Sequence, residues 1–332
     1  MTVRILHFTD VHFGTEDTPA IEAATAYANE NAHDLTVISG DLTQTGVPAE
    51  FEAAAAWLKR LPGPVITCAG NHDTTYYNVP MRIIRPWGRF KHWIGPIEGQ
   101  EHRSPGLAVR TVNTARGIQM RRNWSKGRAD LDDFRAAAQA LAVEDDTLTV
   151  IVCHHPLMEV LGEPITGDVT RGKEAAAILA EHRIDLVLGG HFHHPFAATY
   201  PVGDERCHGV GAGTLSTRRR GVPLSFGVIE ADPFEIRVQA MDCDEGRVCA
   251  GRSWTLKRRK PFAPMKDRHN EPEVTTPEGK PALDPTRHET TPPDVAAEIA
   301  ASAPAWTDPA VPCPAPEAAP AAPAVPVGTP RT

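Results

Sequence analysis

Apolar runs typical of buried strands recur along the first part of the chain, and stretches with helical spacing separate most of them. These runs are VRILHF (3–8), LTVIS (35–39), VITCA (65–69), LAVRTV (107–112), LTVIVC (148–153) and IDLVLG (184–189). The Ala-rich stretch that follows Pro19 predicts a helix to about residue 31, because proline is tolerated in the first turn of a helix. Pro48 predicts another helix in the same way, and two more are expected near 130–142 and 173–182.

From residue 196 onward the pattern changes to short strand-like runs with few helical stretches. The earlier alternation of strands and helices predicts buried sheets flanked by helices. The strand-rich second half predicts a second, more antiparallel sheet. We therefore expect an α/β fold, a four-layer α/β/β/α sandwich of two mixed sheets with the helices outside.

The composition divides the chain into two parts. Of the 31 prolines, 17 lie in residues 261–332, a segment that holds only two aromatic residues, Phe262 and Trp306. Such a composition buries too little apolar surface to offset the loss of chain entropy on folding. The sequence predicts a folded domain at 1–258 and a Pro/Ala-rich disordered C-terminal tail at 259–332.

Charge and cysteine usage narrow the class of protein. The net charge is −8, and residues 261–332 carry −5 of it, which leaves −3 for the rest of the chain. A nearly neutral domain is not suited to bulk nucleic-acid binding. The six cysteines form no CxxC pair, and no apolar run has the length of a signal-peptide core or a membrane span. We expect a reduced, cytoplasmic protein without a membrane span.

Polar residues capable of binding metals follow five of the predicted strands, at the point where each strand ends. They are Asp10 and His12, Asp41, Asn71 with His72 and Asp73, His154 with His155, and His191 with His193. Each group alone is a weak indication, because turns are rich in such residues. In open α/β sheets, however, the carboxyl ends of the strands border the ligand crevice. All five groups are therefore expected to converge on one metal site.

The residue types limit the choice of metal. Asp, Asn and His supply oxygen and nitrogen ligands without a thiolate, which suits Mn, Fe, Zn, Co or Ni and argues against a Cys-rich structural zinc site. About seven ligands are too many for one ion. A bridging carboxylate can hold two ions roughly 3.5–4 Å apart, and such a pair binds a phosphate and lowers the pKa of a bridging water.

The motifs DxH, GD, GNHD, a later His and GHxH, in this order, resemble the calcineurin-like metallophosphoesterase superfamily over about residues 3–258. The resemblance implies two transition-metal ions, divalent or trivalent. It implies that the first ion is bound by Asp10, His12, Asp41 and His193. It implies that the second ion shares Asp41 and is also bound by Asn71, His154 and His191. His154 is preferred over His155 because the family pattern has a His two residues before a proline, here Pro156.

The resemblance also assigns roles within GNHD. His72 is expected to face the substrate and to donate a proton to the leaving oxygen or stabilise charge there. Asp73 is expected to orient His72, as carboxylates orient imidazoles in other hydrolytic sites. The alternative for Asp73 is a turn or helix cap.

Within the superfamily, the chain looks most like bacterial class III cyclic-nucleotide phosphodiesterases and related glycerophosphodiesterases. The stretches that carry this likeness are the segment from SGDLTQTG to AGNHD, CHHPL and GGHFHHPF. They imply hydrolysis of a small phosphodiester, with cyclic AMP as one candidate, through attack by a hydroxide that bridges the two metals. The alternatives are a phosphomonoesterase, a pyrophosphohydrolase of nucleotide derivatives and a non-catalytic scaffold relative.

Four further segments lie outside the motifs, and two of them have alternative interpretations. Residues 116–128, which include Trp124, could bind a phosphate or stack on a base, but a solvated surface loop is favoured. Residues 74–78 could line the pocket or belong to the core. The basic stretches STRRRG (216–221) and LKRRK (256–260) are expected to be exposed charge. No residue outside the motifs is assigned to substrate binding.

Overall fold

The computed structural model describes residues 2–75, 78–120, 123–142, 147–159 and 169–259. The strands in these ranges are β1 (Val3–Phe8), β2 (Leu35–Ile38), β3 (Val65–Thr67), β4 (Glu101–Ser104), β5 (Leu107–Thr111), β6 (Leu148–Val152), β7 (Leu186–Gly189), β8 (Phe196–Thr199), β9 (His208–Gly211), β10 (Leu224–Ala231), β11 (Glu235–Asp244) and β12 (Arg247–Lys257). The helices are α1 (Thr18–Glu30), α2 (Pro48–Leu58), α3 (Val79–Ile84), α4 (Gly88–Trp93), α5 (Leu131–Leu141) and α6 (Gly172–Glu181).

Two mixed sheets are formed by these strands. The first has the order β12-β11-β10-β1-β2-β3, and the second has the order β4-β5-β6-β7-β9-β8. Strands β1, β2 and β3 are parallel to one another, as are β5, β6, β7 and β9. The remaining strands pair antiparallel at the edges.

The two sheets face each other, and the helices cover their outer faces. Alternate residues of β6 show this arrangement, because Val150 packs between the sheets whereas Ile151 packs against α5 and α6 on the outside. On the first sheet, Phe8 points outward to a cluster that includes Phe51 and Trp57 of α2. Period-two alternation thus places the central strands of both sheets between an inner and an outer apolar layer. The predicted four-layer α/β/β/α sandwich is confirmed.

The helix boundaries follow from local capping chemistry. Asp17 accepts a hydrogen bond from the Ala20 amide at the start of α1, and Pro19 occupies the first turn. Asp130 caps α5 through the Asp132 amide. These helices, with α2 and α6, lie where the sequence predicted them, within about three residues at each end.

One part of the predicted topology is wrong. The antiparallel strands β10, β11 and β12 do not build a separate sheet; they extend the first sheet, where β10 pairs with β1 over Val3 to His7. The physical reason is that β1 carries β2 on one side only, so its other edge is free to pair. Strands β8 and β9 instead complete the second sheet.

The predicted tail lies outside the described residues, except for Arg259, so its disorder and the boundary after 258 stay predictions. Tyr76 and Tyr77 of the segment 74–78 also lie outside them. Within the described ranges, the helices are too short or too polar to span a bilayer. The fold matters for function because the parallel strands of both sheets end at a common edge.

Candidate metal centre

All seven predicted metal ligands are buried, and they lie on loops that directly follow strands. We refer to them as the candidate ligand cluster, which comprises Asp10, His12, Asp41, Asn71, His154, His191 and His193. Five of them, all except Asn71 and His154, have a left-handed backbone with φ between 50° and 70°. This conformation is unfavourable for non-glycine residues and is maintained where the surrounding structure requires it.

Two glycines allow the ligand loops to approach one another. A Cβ atom on Gly70 would lie 2.1 Å from Oδ1 of Asp41, and one on Gly190 would lie 1.9 Å from Oγ1 of Thr9. Both positions therefore exclude any side chain. The glycines that precede Asn71 and His191 in the sequence are explained by this close packing.

The first group in the cluster consists of Asp10, His12 and His193. Nε2 of His193 lies 3.2 Å from Oδ1 of Asp10 and 3.2 Å from Nε2 of His12. Nε2 of His12 lies 3.6 Å from the same oxygen of Asp10. Three ligand atoms thus converge on one point, where they could hold an ion.

The second group consists of Asn71, His154 and His191, and Asp41 lies between the two groups. Oδ2 of Asp41 is 3.2 Å from Nε2 of His154 and 3.9 Å from Nε2 of His12. Oδ1 of Asn71 is 3.1 Å from Nδ1 of His191. The position of Asp41 is the one that a bridging carboxylate needs.

The hydrogen bonds around the cluster leave lone pairs pointing at one another. Nδ1 of His154 lies 2.8 Å from the carbonyl oxygen of Ser39, and a carbonyl only accepts, so this nitrogen carries the proton. Nε2 of His154 therefore faces Asp41 and presents a lone pair when the ring is neutral. His193 is arranged in the same way, because its Nδ1 donates to the carbonyl of Arg218 at 2.8 Å and its Nε2 faces Asp10.

The facing atoms of each pair need a cation between them, either a proton or a metal ion. Oδ1 of Asp10 is buried and has no hydrogen-bond partner among the described residues. Burial lowers the pKa of His154, but the charges of Asp41 and Asp10 and the hydrogen bonds to Asp41 and Ser39 raise it to about 9, so without metal a proton on Nε2 lies between His154 and Asp41. The donor set of Asp, Asn and His therefore fits transition-metal ions.

The two adjacent histidines differ in their free ring nitrogens. Both nitrogens of His155 are occupied, since Nδ1 lies 3.0 Å from Oγ1 of Thr114 and Nε2 lies 2.8 Å from the carbonyl oxygen of Ser125. His154 instead has one nitrogen directed at Asp41. This difference supports the preference for His154 as a ligand and gives His155 a role in holding the loop around Ser125.

His72 lies beside the cluster and contributes to the wall of the cavity. Its Nδ1 is 2.6 Å from the carbonyl oxygen of Gln44, and its Nε2 is 3.2 Å from Nη1 of Arg218. Its backbone amide donates to Oδ1 of Asp41 at 2.8 Å. The ring centroid is 4.8 Å from that of His12. His72 is thus fixed at the edge of the candidate ligand cluster, with Nε2 on the cavity side.

The position of Asp73 differs from the expected role. Its carboxylate accepts hydrogen bonds from the amides of Gly70 and Thr43, both at 2.9 Å, and from Oγ1 of Thr43 at 3.0 Å. Burial and the nearby charge of Asp41 raise its pKa to about 6. Gln44, and not Asp73, occupies Nδ1 of His72, because the carboxylate of Asp73 is directed at Gly70 and Thr43. These contacts favour the alternative of a turn cap.

A cavity of about 540 Å³ opens above the cluster. Beyond the ligands and His72, it is lined by Val79, Arg82, Asn123, Trp124, Ser125, Arg218 and Arg220. The expectation of a solvated surface loop is wrong for Trp124 and Ser125, which are half-buried, whereas Asn123 is exposed. The expectation of exposed charge is wrong for Arg218, which is half-buried, and for Arg258 and Arg259, which are largely buried beside Asp185. Arg220 lines the cavity but is exposed, as expected.

The segment from Thr214 to Arg220 supports the cluster from behind, and the sequence analysis missed it. Thr214 donates to the carbonyl of Asp10 at 2.6 Å, the carbonyl of Arg218 accepts from His193, and that of Arg220 lies 3.2 Å from Nε2 of His194. A run of three arginines is typical of solvated charge. The signal that could have identified it is its position just after β9, a parallel strand that ends at the same edge as β7.

Comparisons with known proteins agree with this geometry. A model of the family described as calcineurin-like phosphoesterase matches residues 3–195. A relative from Synechococcus sp., named a probable cyclic nucleotide phosphodiesterase, is 30% identical over 214 residues, which cover 59% of this chain and 75% of the relative.

Solved structures share the fold at low sequence identity. The purple acid phosphatase from yellow lupin seeds has a TM-score of 0.54 at 14% identity over 78% of this chain, and the match spans 54% of the lupin protein. GAP50, titled the anchor in the inner membrane complex of Plasmodium, has a TM-score of 0.53 at 13% identity and covers 79% of this chain and 90% of its own. At these identities the likeness establishes the fold alone.

Proposed function

Because the chain belongs to the calcineurin-like phosphoesterase family, we propose that it is a dinuclear-metal phosphodiesterase that hydrolyses a small phosphodiester. The observation that carries the proposal is the position of Asp41 between two groups of inward-facing ligands, at 3.2 Å from His154 and 3.9 Å from His12. The first ion is assigned to Asp10, His12, Asp41 and His193. The second is assigned to Asp41, Asn71, His154 and His191.

The protein's own residues have distinct tasks in this mechanism. When bound, the two ions would polarise the phosphoryl group and activate water as the nucleophile. The carbonyls of Ser39 and Arg218 hold the ligating histidines in one tautomer. His72 is fixed through Nδ1 by Gln44, so that Nε2 faces the cavity, where the doubly protonated ring could donate to the leaving oxygen or stabilise its charge. Asp73 acts on the loop backbone as a positioning residue.

A cyclic nucleotide is our first candidate for the substrate. The name of the Synechococcus relative supports this choice. A second support is Trp124, which lines the cavity and has the guanidinium of Arg82 over its ring, 5.4 Å from the centroid. An indole held by a cation and by a fixed loop is suited to stacking on a flat base. A glycerophosphodiester offers no such group.

The alternatives are a phosphomonoesterase, a pyrophosphohydrolase of nucleotide derivatives, and a metal-binding scaffold. The scaffold has a precedent in the fold, because GAP50 is titled an anchor. The complete set of ligands around Asp41 and the presence of His72 favour an enzyme. A cytoplasmic location and the identity of the metals stay predictions.

The test uses the full chain, stripped of metal and reloaded with Mn²⁺. Hydrolysis of bis-(p-nitrophenyl) phosphate is compared with that of p-nitrophenyl phosphate, with and without a chelator. We expect metal-dependent cleavage that favours the diester. A preference for the monoester would contradict the diesterase proposal. No turnover of either ester by protein with two bound ions would favour the scaffold.

The nucleotide proposal needs its own comparison. We expect the Trp124→Leu variant to lose about 10-fold in kcat/KM for cyclic AMP, on the scale of a lost stacking contact, and to keep its activity on a glycerophosphodiester. Trp254→Leu is the matched control, since Trp254 lies in β12 and does not line the cavity. Equal losses on both substrates would argue against a base at Trp124.

A further inference from the structure

We propose that Arg218 and Arg220 form an anion-binding pair for the non-bridging oxygens of the phosphoester, and that Arg218 moves from His72 to the substrate when it binds. This inference rests on the proposed function and adds the residues that position the phosphoryl group. Three observations support it. The first is the direction of each arginine in the triplet 218–220. The second is that no carboxylate among the described residues pairs with Arg218 or Arg220, and the third is the contact between Arg218 and His72.

The three consecutive arginines alternate in direction. Arg218 and Arg220 line the cavity, whereas Arg219 points away from it and pairs with Asp17 at 3.2 Å. The side chain of Arg219 is 55% exposed. The segment therefore directs two of its three positive charges into the cavity that the candidate ligands Asp41, His191 and His193 also line.

The two inward arginines have no counter-charge of their own. Among the described residues, no carboxylate forms an ion pair with Arg218 or Arg220. Nη1 of Arg220 reaches only the carbonyl oxygens of His191 and Phe192, at 3.3 and 3.5 Å. Burial lowers the pKa of Arg220, and the charges of Asp10 and Asp41 oppose this effect. Arg220 is exposed to the cavity, and a guanidinium held only by long bonds to neutral oxygens retains N–H donors for an anion.

Within the described part of the chain, the side chain of Arg218 likewise contacts neutral acceptors only. Its Nη1 lies 3.2 Å from Nε2 of His72 and 3.4 Å from Oε1 of Gln44. A phosphate oxygen accepts shorter, charge-assisted hydrogen bonds from a guanidinium, roughly 2.7–2.9 Å long. An entering phosphoester therefore offers Arg218 a better partner than either neutral group.

The contact with His72 connects phosphate binding to the chemistry. Since the Gln44 carbonyl can only accept, Nδ1 of His72 carries a proton, and Nε2 accepts the hydrogen bond from Arg218. While Arg218 occupies Nε2, this nitrogen cannot contact a leaving oxygen. Movement of Arg218 to the phosphate frees Nε2 at the moment when substrate is in place. Arg218 is thus a substrate-binding residue that also controls access to His72.

The matched control lies within the same triplet. Arg218→Gln, Arg220→Gln and Arg219→Gln each remove one positive charge, but only the first two remove it from the cavity. Each full-length variant is loaded with Mn²⁺ and assayed for kcat and KM with bis-(p-nitrophenyl) phosphate. Three further quantities are measured on the same samples: the inhibition constant of inorganic phosphate, the metal content and the thermal midpoint of unfolding. Phosphate binding is also measured directly by calorimetry.

We expect Arg218→Gln and Arg220→Gln to keep their metal and thermal midpoint, and to weaken phosphate inhibition by about 10-fold or more, as for loss of a charged hydrogen bond. Arg218→Gln should also lower kcat. Arg218→Lys should regain part of the phosphate inhibition but less of kcat, because an ammonium carries the charge without the planar fork. Arg219→Gln should stay within about twofold of the wild type.

Several results would overturn the inference. Phosphate inhibition and kcat/KM of the two inward variants equal to those of Arg219→Gln would exclude an anion-binding pair. Metal loss in Arg218→Gln and Arg218→Lys alike would make the role structural. If the wild type hydrolyses esters and the Arg218→Gln and Arg220→Gln variants are unaffected, the proposed function stands and the anion-binding pair is refuted. If the wild type hydrolyses neither ester but binds phosphate through Arg218, the anion-binding pair stands and the proposed function is refuted. If the wild type neither hydrolyses an ester nor binds phosphate, both proposals are refuted.

Discussion

Two clusters of largely buried charged residues lie at the opposite ends of β7, and they differ in how their hydrogen-bond donors and acceptors are paired. After the strand, His191 and His193 join Asp10 and Asp41 in the candidate ligand cluster. Before the strand, Asp185 is part of a second cluster, the arginine–aspartate network, which comprises Asp185, Asp204, Arg258 and Arg259.

The carboxylates of the arginine–aspartate network face donors of the chain itself. Asp185 accepts from the amide and hydroxyl of Thr149 at 3.0 and 3.2 Å, and the guanidinium groups of Arg258 and Arg259 lie 3.4 and 3.6 Å away. Arg259 donates to Asp204 at 2.8 Å. Each of these contacts joins a donor to an acceptor, so the two carboxylates do not require a bound cation.

The candidate ligand cluster is completed only by a cation. Nε2 of His154 faces Oδ2 of Asp41, and Nε2 of His193 faces Oδ1 of Asp10, each at 3.2 Å, so each pair needs a proton or a metal ion between its two atoms. Both clusters contain buried carboxylates, so the burial of a carboxylate does not by itself separate them. The comparison teaches that the pairing of donors and acceptors distinguishes a structural network from a site that requires a cation.

Loss of the central carboxylate is the change with the largest expected effect. Asp41→Ala should lose bound metal and at least about 100-fold in kcat, more than variants of outer hydrogen-bond partners commonly lose. Metal analysis and steady-state kinetics check this outcome. Asp34→Ala is the control, since Asp34 is exposed at the other end of β2. Retention of both ions by Asp41→Ala would remove the bridging role.

The next change separates metal binding from proton transfer. His72→Ala should keep both ions and lower kcat by about 10²–10⁴-fold, the range for removal of a general acid. The measurements are metal content and kcat for bis-(p-nitrophenyl) phosphate. His92→Ala, which replaces an exposed histidine of α4, should be unaffected. Metal loss in His72→Ala would mean that His72 is a ligand.

The third change tests the arginine–aspartate network. Asp185→Ala should lower the free energy of unfolding by about 3–5 kcal/mol, because it leaves two largely buried guanidinium groups without their shared partner. Metal content and kcat should stay at wild-type levels below the transition. Urea denaturation measures the first quantity. Asp204→Ala, whose side chain is 47% exposed, should cost less than about 1 kcal/mol.

The smallest expected effect is the pH dependence of stability that comes from His7, which contacts Ser39 as His154 does. Nε2 of His7 lies 2.8 Å from the Ser39 hydroxyl, and Nδ1 of His154 lies 2.8 Å from the Ser39 carbonyl. Burial, opposed by the charge of Asp10, lowers the pKa of His7 to about 3. In His154, the carboxylate of Asp41 outweighs the same burial.

The pKa of His7 predicts part of the acid sensitivity. The pKa of His7 in the folded state is below the ordinary value of 6.5, so the unfolded state binds more protons between pH 6.5 and 3. The contribution of His7 to the free energy of unfolding is therefore fully present above pH 6.5 and is lost as the pH falls toward 3. Between about pH 7.5 and 5.5, His7 alone should cost about 1.4 kcal/mol of unfolding free energy. Urea denaturation of metal-free protein at both pH values should show a flatter dependence for His7→Gln. Parallel curves would contradict the assignment.

Much of the fold, and the convergence of the candidate ligand cluster, could be predicted because the determining features are local in the chain. Period-two apolar runs defined the strands around Val150, and Pro19 and Pro48 marked the helix starts. Since parallel strands share their carboxyl edge, residues such as Asp10 and His193 could be placed in one site although they are far apart in the chain. The sheet to which the C-terminal strands belong was less predictable, because β10 pairs with the free edge of β1, which is far away in the sequence.

The sequence by itself determined which chemistry stands at the strand ends: carboxylate, amide and imidazole ligands in the order of one enzyme family. The tertiary structure alone decided what surrounds them. It placed Gln44, and not Asp73, on His72, and it brought Arg218 to the same ring across 146 residues. The physical reason is that a strand's periodicity is set by neighbours in the chain, whereas hydrogen-bond partners between loops depend on how two separate sheets pack.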